Sequence, residues 1–178
     1  MNIETIARSL CKVTSCTNET TLKENTSNAT LKSVVLCDIP TGALVVKMDG
    51  IKFSNFLIDK KEWGYNKHSD YLIITDDKLV FIEMKSASEI SKTLNDECIQ
   101  KFSADECAVN YADLIFQKML SKNTFFNKRE THYVLLFQKI SMAKTPTTVI
   151  ESQSNTTPNT FRSIPVVNEA TISFSRTI

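Results

Sequence analysis

The chain of 178 residues is poor in glycine and proline, with three and four of them, and it carries almost no excess charge. Collagen-like and low-complexity chains are rich in glycine and proline, so this composition excludes both classes. A formal net charge of +1 provides no whole-molecule attraction to nucleic acid or to an anionic membrane. Because 42% of the residues are hydrophobic, we expect one domain with a substantial core.

Long apolar runs and paired cysteine motifs are also missing. No run approaches membrane-spanning length, and the N-terminus, MNIETIARSL, has no apolar stretch of the signal-peptide type. The five cysteines form no CxxC pair and have no histidine at metal-ligand spacing. These features predict a cytoplasmic protein with reduced thiols and no membrane partner.

Apolar patterning predicts a mixed α/β domain at residues 1–143, with a C-terminal extension at 144–178 packed on the same domain. The run SVVLCDIPTGALVVKMDG predicts a β-hairpin around Pro-Thr-Gly, and THYVLLFQKIS predicts a buried strand. In the extension, SIPVV and ATISFS predict a strand pair. Residues 16–30, rich in Thr and Asn, are interpreted as a surface loop.

Helices are predicted at both ends of the domain. Apolar residues at helical spacing in IETIARSLCKVT predict a short N-terminal helix that includes Val13. Two capping boxes, Ser86 with Glu89 and Ser103 with Glu106, predict two separate helix starts. The second helix is predicted to run from about residue 104 to 121, with one apolar face. That face comprises Ala108, Tyr111, Ala112, Ile115 and Met119.

The stretch SDYLIITDDKLVFIEMKS, residues 69–86, places acids at the ends of two apolar runs. If the runs pair across a two-residue turn at Asp76–Asp77, Asp70 lies directly opposite Glu83. Their β-carbons are then about 4.5–5.5 Å apart, and two carboxylates so close repel each other unless a cation lies between them. Strand alternation places Glu83 and Lys85 on the same face. Two carboxylates can bind Mg²⁺, and the lysine can orient or deprotonate a water or stabilise negative charge.

The same stretch resembles the active-site hairpin of the PD-(D/E)xK nuclease superfamily. Asp70 matches the first acid of the motif, Glu83 the second acid and Lys85 the lysine, while Ser69 stands where the family motif has proline. The resemblance implies a restriction-endonuclease-like core, with a mixed central sheet flanked by helices. It also implies that Mg²⁺, or Mn²⁺ in its place, binds Asp70, Glu83 and the backbone carbonyl of Met84.

The function implied by the resemblance is a metal-dependent endodeoxyribonuclease acting in restriction, repair or antiviral defence. DNA as the partner comes from the resemblance alone, and the resemblance also implies a homodimer. The near-neutral charge favours assembly with a partner protein. Glu4 and Gln100 are candidate accessory residues at the site. Candidate nucleic-acid-binding residues are Lys67, Lys101, Lys118, Lys122, Lys128 and Arg129.

Other interpretations stay open at this point. A rival D-x-K motif occurs at Asp59–Lys61, with Asp49 upstream. In an alternative interpretation, Glu83 and Lys85 are an ordinary charge pair on an exposed edge strand. The chain is then a non-catalytic binding or regulatory module of the same fold, or a subunit of a larger nucleic-acid-processing complex.

Overall fold

The computed structural model describes residues 13–48, 67–119, 125–138 and 154–178. Over these ranges the chain forms nine strands, one α-helix and two short 3-10 helices. The strands before the helix are β1 Val13–Ser15, β2 Thr20–Lys23, β3 Ser33–Cys37, β4 Leu44–Lys47, β5 Tyr71–Ile74 and β6 Lys78–Lys85. The helix α1 is Lys92–Met119, and it is followed by β7 Glu130–Gln138, β8 Arg162–Val166 and β9 Ala170–Ser173. The 3-10 helices are Pro158–Thr160 and Phe174–Thr177.

The strands form two mixed sheets. The larger sheet has the order β1-β4-β5-β6-β7-β8. Its neighbours β1, β4, β5 and β6 pair antiparallel, and β6, β7 and β8 pair parallel. The smaller sheet has the order β2-β3-β9, with β2 antiparallel and β9 parallel to β3. Since β6 and β7 are parallel neighbours joined through α1, they form a βαβ unit. The described part of the chain is therefore an α/β protein.

The larger sheet lies between α1 and the smaller sheet. On one face, Leu72 and Phe81 pack in a cluster with Phe102 of α1. On the other face, Ile73, Val80 and Ile82 pack in a second cluster. The smaller sheet contributes Leu22, Val34, Leu36 and Ile172 to that second cluster. Both faces of β6 are thus covered, which explains its nearly continuous apolar sequence.

The two predicted strand pairings at residues 33–50 and 163–175 are wrong, although their strands exist. The strands β3 and β4 lie in different sheets, and so do β8 and β9. Burial alternates along β3 but is continuous along β4, because β3 covers one face of the core whereas β4 lies inside the larger sheet. A further strand, β2, forms within the predicted loop at 16–30. The predicted buried strand is confirmed as β7.

The helix differs from its prediction in where it begins. It starts at Lys92, and the Leu94 N–H donates to the Ser91 hydroxyl at 3.2 Å, so Ser91 is the N-cap. Ser86 accepts N–H groups of another loop, and Ser103 lies inside the helix. Both predicted capping boxes are therefore wrong, because the Ser86 hydroxyl binds that loop and the helix has already begun before Ser103.

The apolar face of α1 is only partly the predicted one. Ala108 and Ala112 are buried as expected, but Tyr111 is 49% exposed. The buried stripe instead begins about four turns earlier, at Leu94, and continues through Cys98 and Phe102. Val13 opens strand β1, and the rest of the predicted N-terminal helix lies outside the described residues. No helix within the described ranges is long and apolar enough to cross a membrane.

A buried acid of α1 anchors the chain immediately before β5. Asp105 is fully buried, with Oδ1 2.8 Å from His68 Nδ1, and its Oδ2 accepts the Ser69 N–H at 3.0 Å. These bonds tie the segment that leads into Asp70 to the middle of the helix.

Replacement of this anchor, Asp105→Asn, should lower the free energy of unfolding by about 1–3 kcal/mol, because the amide has a single acceptor oxygen where the carboxylate presents one oxygen to the Ser69 N–H and the other to His68 Nδ1. Chemical denaturation measures the change. The exposed neighbour variant Glu106→Gln is the matched control and should stay within about 0.5 kcal/mol of wild type. Equal stability of Asp105→Asn and its control would contradict the anchoring role.

Candidate active site

The register predicted for the hairpin is confirmed. Tyr71 pairs with Ile82 and Ile74 pairs with Leu79, and the Thr75 N–H donates to the Lys78 carbonyl at 2.9 Å. The same register continued by one residue places Asp70 opposite Glu83. This position lies at the open end of the β5–β6 hairpin, on the sheet face that α1 covers.

Asp70 is held at the end of β5 by its own backbone and side chain. Its carbonyl accepts the Met48 N–H of the neighbouring strand at 2.9 Å, and its Oδ2 accepts the Met84 N–H at 2.7 Å. Burial raises the pKa of Asp70, although the Met84 amide and the positive charge of Lys101 oppose this effect. The carboxylate therefore lies beside β6 in a place where its negative charge is poorly solvated.

Glu83 is the most deeply buried acid of the site, with a side chain 1% exposed. Its Oε1 accepts hydrogen bonds from two ammonium groups, Lys101 Nζ at 2.6 Å and Lys85 Nζ at 3.1 Å. Its Oε2 is buried and has no hydrogen-bond partner among the described residues. Burial and the negative charge of Asp70 raise the pKa of Glu83 to about 7. The two lysines do not offset these effects.

Lys85 joins two acids across the gap between sheet and helix. Its Nζ lies 2.8 Å from Glu97 Oε1 and 3.1 Å from Glu83 Oε1. Burial lowers the pKa of Lys85, but the hydrogen bond to Glu97 and the charge of Glu83 outweigh it and raise the pKa overall. Lys85 is therefore a cation at neutral pH.

The helix contributes two charged residues to the site, Glu97 and Lys101. They are four residues apart and lie on the same side of α1, flanking the apolar stripe that packs on the sheet. Lys101 was predicted to bind nucleic acid, and the structure brings it onto Glu83. Glu97 was not predicted. The helix begins at Lys92, which places Glu97 on the same side as Lys101, four residues later. The helix predicted to start near residue 104 did not include either residue.

Glu24 is a second acid that sequence reasoning missed. It follows β2 of the smaller sheet, and its charge raises the pKa of Asp70. The loop after it is fixed at the carboxyl ends of two parallel strands. The Thr30 and Leu31 N–H groups donate to the Ser86 hydroxyl at 2.9 and 3.0 Å, and the Thr30 hydroxyl donates to Gln138. Ligand sites of α/β sheets lie at such strand ends.

Two of the other predicted basic residues, Arg129 and Lys118, lie away from this cluster. Arg129 donates to the Thr75 carbonyl at 2.7 Å and stacks on Phe125, at the turn end of the hairpin, about 17 Å along β6 from Glu83. Lys118 is in the last turn of α1, about 25 Å along the helix from Lys101. Their part in nucleic-acid binding stays a prediction.

Three further sequence-predicted residues lie within the described ranges. Lys67 is exposed and close enough to Glu97 to lower its pKa, Gln100 is exposed on α1, and Lys128 is exposed beside Arg129. Glu4 and Lys122 lie outside the described residues, as does the rival motif at Asp49 and Asp59–Lys61.

The described residues include no group of three or more His, Cys, Asp or Glu side chains arranged to hold a metal ion. Mg²⁺ does not require such a group, because it retains several waters and binds proteins through one or two carboxylates. The unpartnered Oε2 of Glu83 beside Asp70 fits that mode of binding. In a strand the N–H and C=O of one residue point to the same side, so the Met84 carbonyl faces the edge where its N–H meets Asp70.

No protein-family model, no curated protein and no solved structure matches the chain.

Replacing the buried acid, Glu83→Gln, should change how stability depends on pH. The carboxyl has a pKa of about 7 in the folded protein against an ordinary value of 4.5. Between these values the folded state keeps a proton that the unfolded state releases, so wild-type stability falls as pH rises through this window. The loss amounts to about 3 kcal/mol at neutral pH and above, and the glutamine variant should lack it.

Denaturant unfolding of both proteins across the range from about pH 4 to about pH 8 measures this difference. The exposed-acid variant Glu89→Gln is the control for losing one negative charge. Parallel curves for wild type and Glu83→Gln would show that Glu83 does not hold its proton in the fold.

Proposed function

We propose that the chain is a Mg²⁺-dependent nuclease that hydrolyses phosphodiester bonds of DNA at the cluster of Asp70, Glu83 and Lys85. The observation that carries this proposal is the buried Glu83 carboxylate, which has one oxygen held by lysines and the other without a partner beside Asp70. Burial and the nearby Asp70 disfavour the charged form of Glu83 even with two ammonium groups on one of its oxygens, and acids perturbed in this way cluster at functional sites.

Asp70 and the free oxygen of Glu83 are the proposed cation ligands, together with the Met84 carbonyl. A bound Mg²⁺ or Mn²⁺ supplies a water of lowered pKa and neutralises phosphate charge. Asp70 is fixed for this purpose by the Met84 amide, and Glu83 by the two lysines on its other oxygen. The protein therefore fixes both carboxylates before any ligand arrives.

Lys85 is proposed to act as a cation rather than as a base. Its contacts with Glu97 and Glu83 favour the charged ammonium, which cannot accept a proton from water. A positive charge at this place stabilises the negative charge that develops on a phosphate during hydrolysis. Of the roles compatible with the sequence, charge stabilisation is the one that the contacts favour.

The choice of DNA, and a setting in restriction, repair or antiviral defence, follow the resemblance to the PD-(D/E)xK nucleases. A restriction-endonuclease-like core is proposed for the larger sheet and α1 on the same ground. A homodimer or a partner protein would provide the DNA affinity that a net charge of +1 does not.

A second candidate function is a non-catalytic binding or regulatory module. The favouring observation is that Glu83 already has two ammonium partners, so that its charge is balanced without a metal ion. In that case the cluster fixes α1 on the sheet and performs no chemistry.

Metal binding and DNA cleavage test the proposal together. Wild-type protein should bind Mg²⁺ or Mn²⁺ in calorimetry and cut supercoiled plasmid in its presence, and Asp70→Asn and Glu83→Gln should each abolish both, because each removes a cation ligand. Glu89→Gln, which loses an exposed acid, is the matched control and should behave as wild type.

Two outcomes would count against the nuclease. Absence of metal binding and cleavage in wild type, at protein and metal concentrations in the millimolar range, would favour the non-catalytic module. Cleavage that survives in Glu83→Gln but not in a separately purified blank would place the chemistry elsewhere in the chain.

A further inference from the structure

Four of the charged residues at the site form an alternating chain that runs from the helix to the sheet and back. Glu97 contacts Lys85 at 2.8 Å, Lys85 contacts Glu83 at 3.1 Å, and Glu83 contacts Lys101 at 2.6 Å. Both lysines meet the same oxygen of Glu83. Lys101 lies closer to it, so Lys85 is the more weakly held of the two at that oxygen.

The contact of Lys85 with Glu97 is shorter than its contact with Glu83. A lysine ammonium sits on a flexible four-carbon stem with three rotatable donors, so its position depends on the acceptors that surround it. Without Glu97, Lys85 is left with the longer contact, to a Glu83 oxygen that Lys101 also contacts.

We propose that Glu97 is a positioning residue that holds the Lys85 ammonium at the site, next to Glu83 and Asp70. The inference rests on the proposed nuclease function and adds to it a residue outside the motif. In this arrangement Glu97, in the second turn of α1, determines where the ammonium group of Lys85 of β6 lies.

The exposure of the pair argues against a purely stabilising role for Glu97. The Glu97 side chain is 39% exposed and that of Lys85 is 24% exposed. Ion pairs at such exposure contribute little to folding, because solvent screens them and long side chains lose freedom. A variant at Glu97 should therefore fold, and its effect should appear in the placement of Lys85.

The matched variants are Glu97→Gln, which keeps the size of the side chain and loses its charge, and Asp96→Asn, which makes the same change at the exposed neighbour on α1. In Mg²⁺-dependent plasmid cleavage, Glu97→Gln should lower kcat about ten- to a hundredfold and change KM less than about threefold. Asp96→Asn should change kcat less than about twofold.

A second readout needs neither metal nor DNA. The ¹⁵N resonance of the Lys85 ammonium, identified by its loss in Lys85→Met, should be observable in metal-free wild type because its hydrogen bonds slow proton exchange with water. It should broaden or vanish in Glu97→Gln and persist in Asp96→Asn.

The results separate the two proposals. If wild type cleaves DNA and Glu97→Gln has an unchanged kcat or an unchanged Lys85 resonance, the positioning role is overturned and the nuclease stands. If wild type neither binds metal nor cleaves, the nuclease fails, and the positioning role fails with it. A lower kcat together with a lost Lys85 resonance, in Glu97→Gln alone, supports both.

Discussion

The burial of one carboxylate on a central strand is the constraint around which the site is organised. Glu83 occupies a position of β6 whose neighbours along the strand are fully covered by apolar side chains. A charge there has lost its water, and Asp70 across the hairpin adds repulsion. The ammonium groups of Lys85 and Lys101 supply the nearest compensation. The two lysines thus lie where they balance the charge of Glu83.

The fold brings this balance about through the βαβ unit. Strand alternation directs Glu83 and Lys85 towards α1. The helix contributes Glu97 and Lys101, which lie beside its apolar stripe and contact these two residues. Asp105, farther along the same helix, holds the segment that enters β5. The same helix therefore fixes Asp70, through the segment that precedes it, and Glu83, through Lys101. The smaller sheet covers the face of the larger sheet opposite α1. The loop that begins at Glu24, after β2, is fixed at the carboxyl ends of β6 and β7.

Local interactions explain what the sequence predicted correctly. A two-residue turn fixes the register of β5 and β6, and the period of two then fixes which side chains share a face. The pairing of Asp70 with Glu83 follows from these two rules. The rules failed where distant strands compete for a partner: β3 pairs with β2 and β9, and β4 with β1 and β5, rather than with each other. A Pro-Thr-Gly turn does not reveal which sheet will accept each strand.

The sequence by itself determined the acid pair, the lysine that follows it and the face on which they lie, because neighbouring residues of one hairpin are related by backbone geometry alone. Only the tertiary structure decided that Lys101 and Glu97 complete the cluster and that Arg129 does not. Those residues reach their partners through packing of a helix and a loop on the sheet. Such packing depends on the fit of whole surfaces, which no short stretch of sequence encodes.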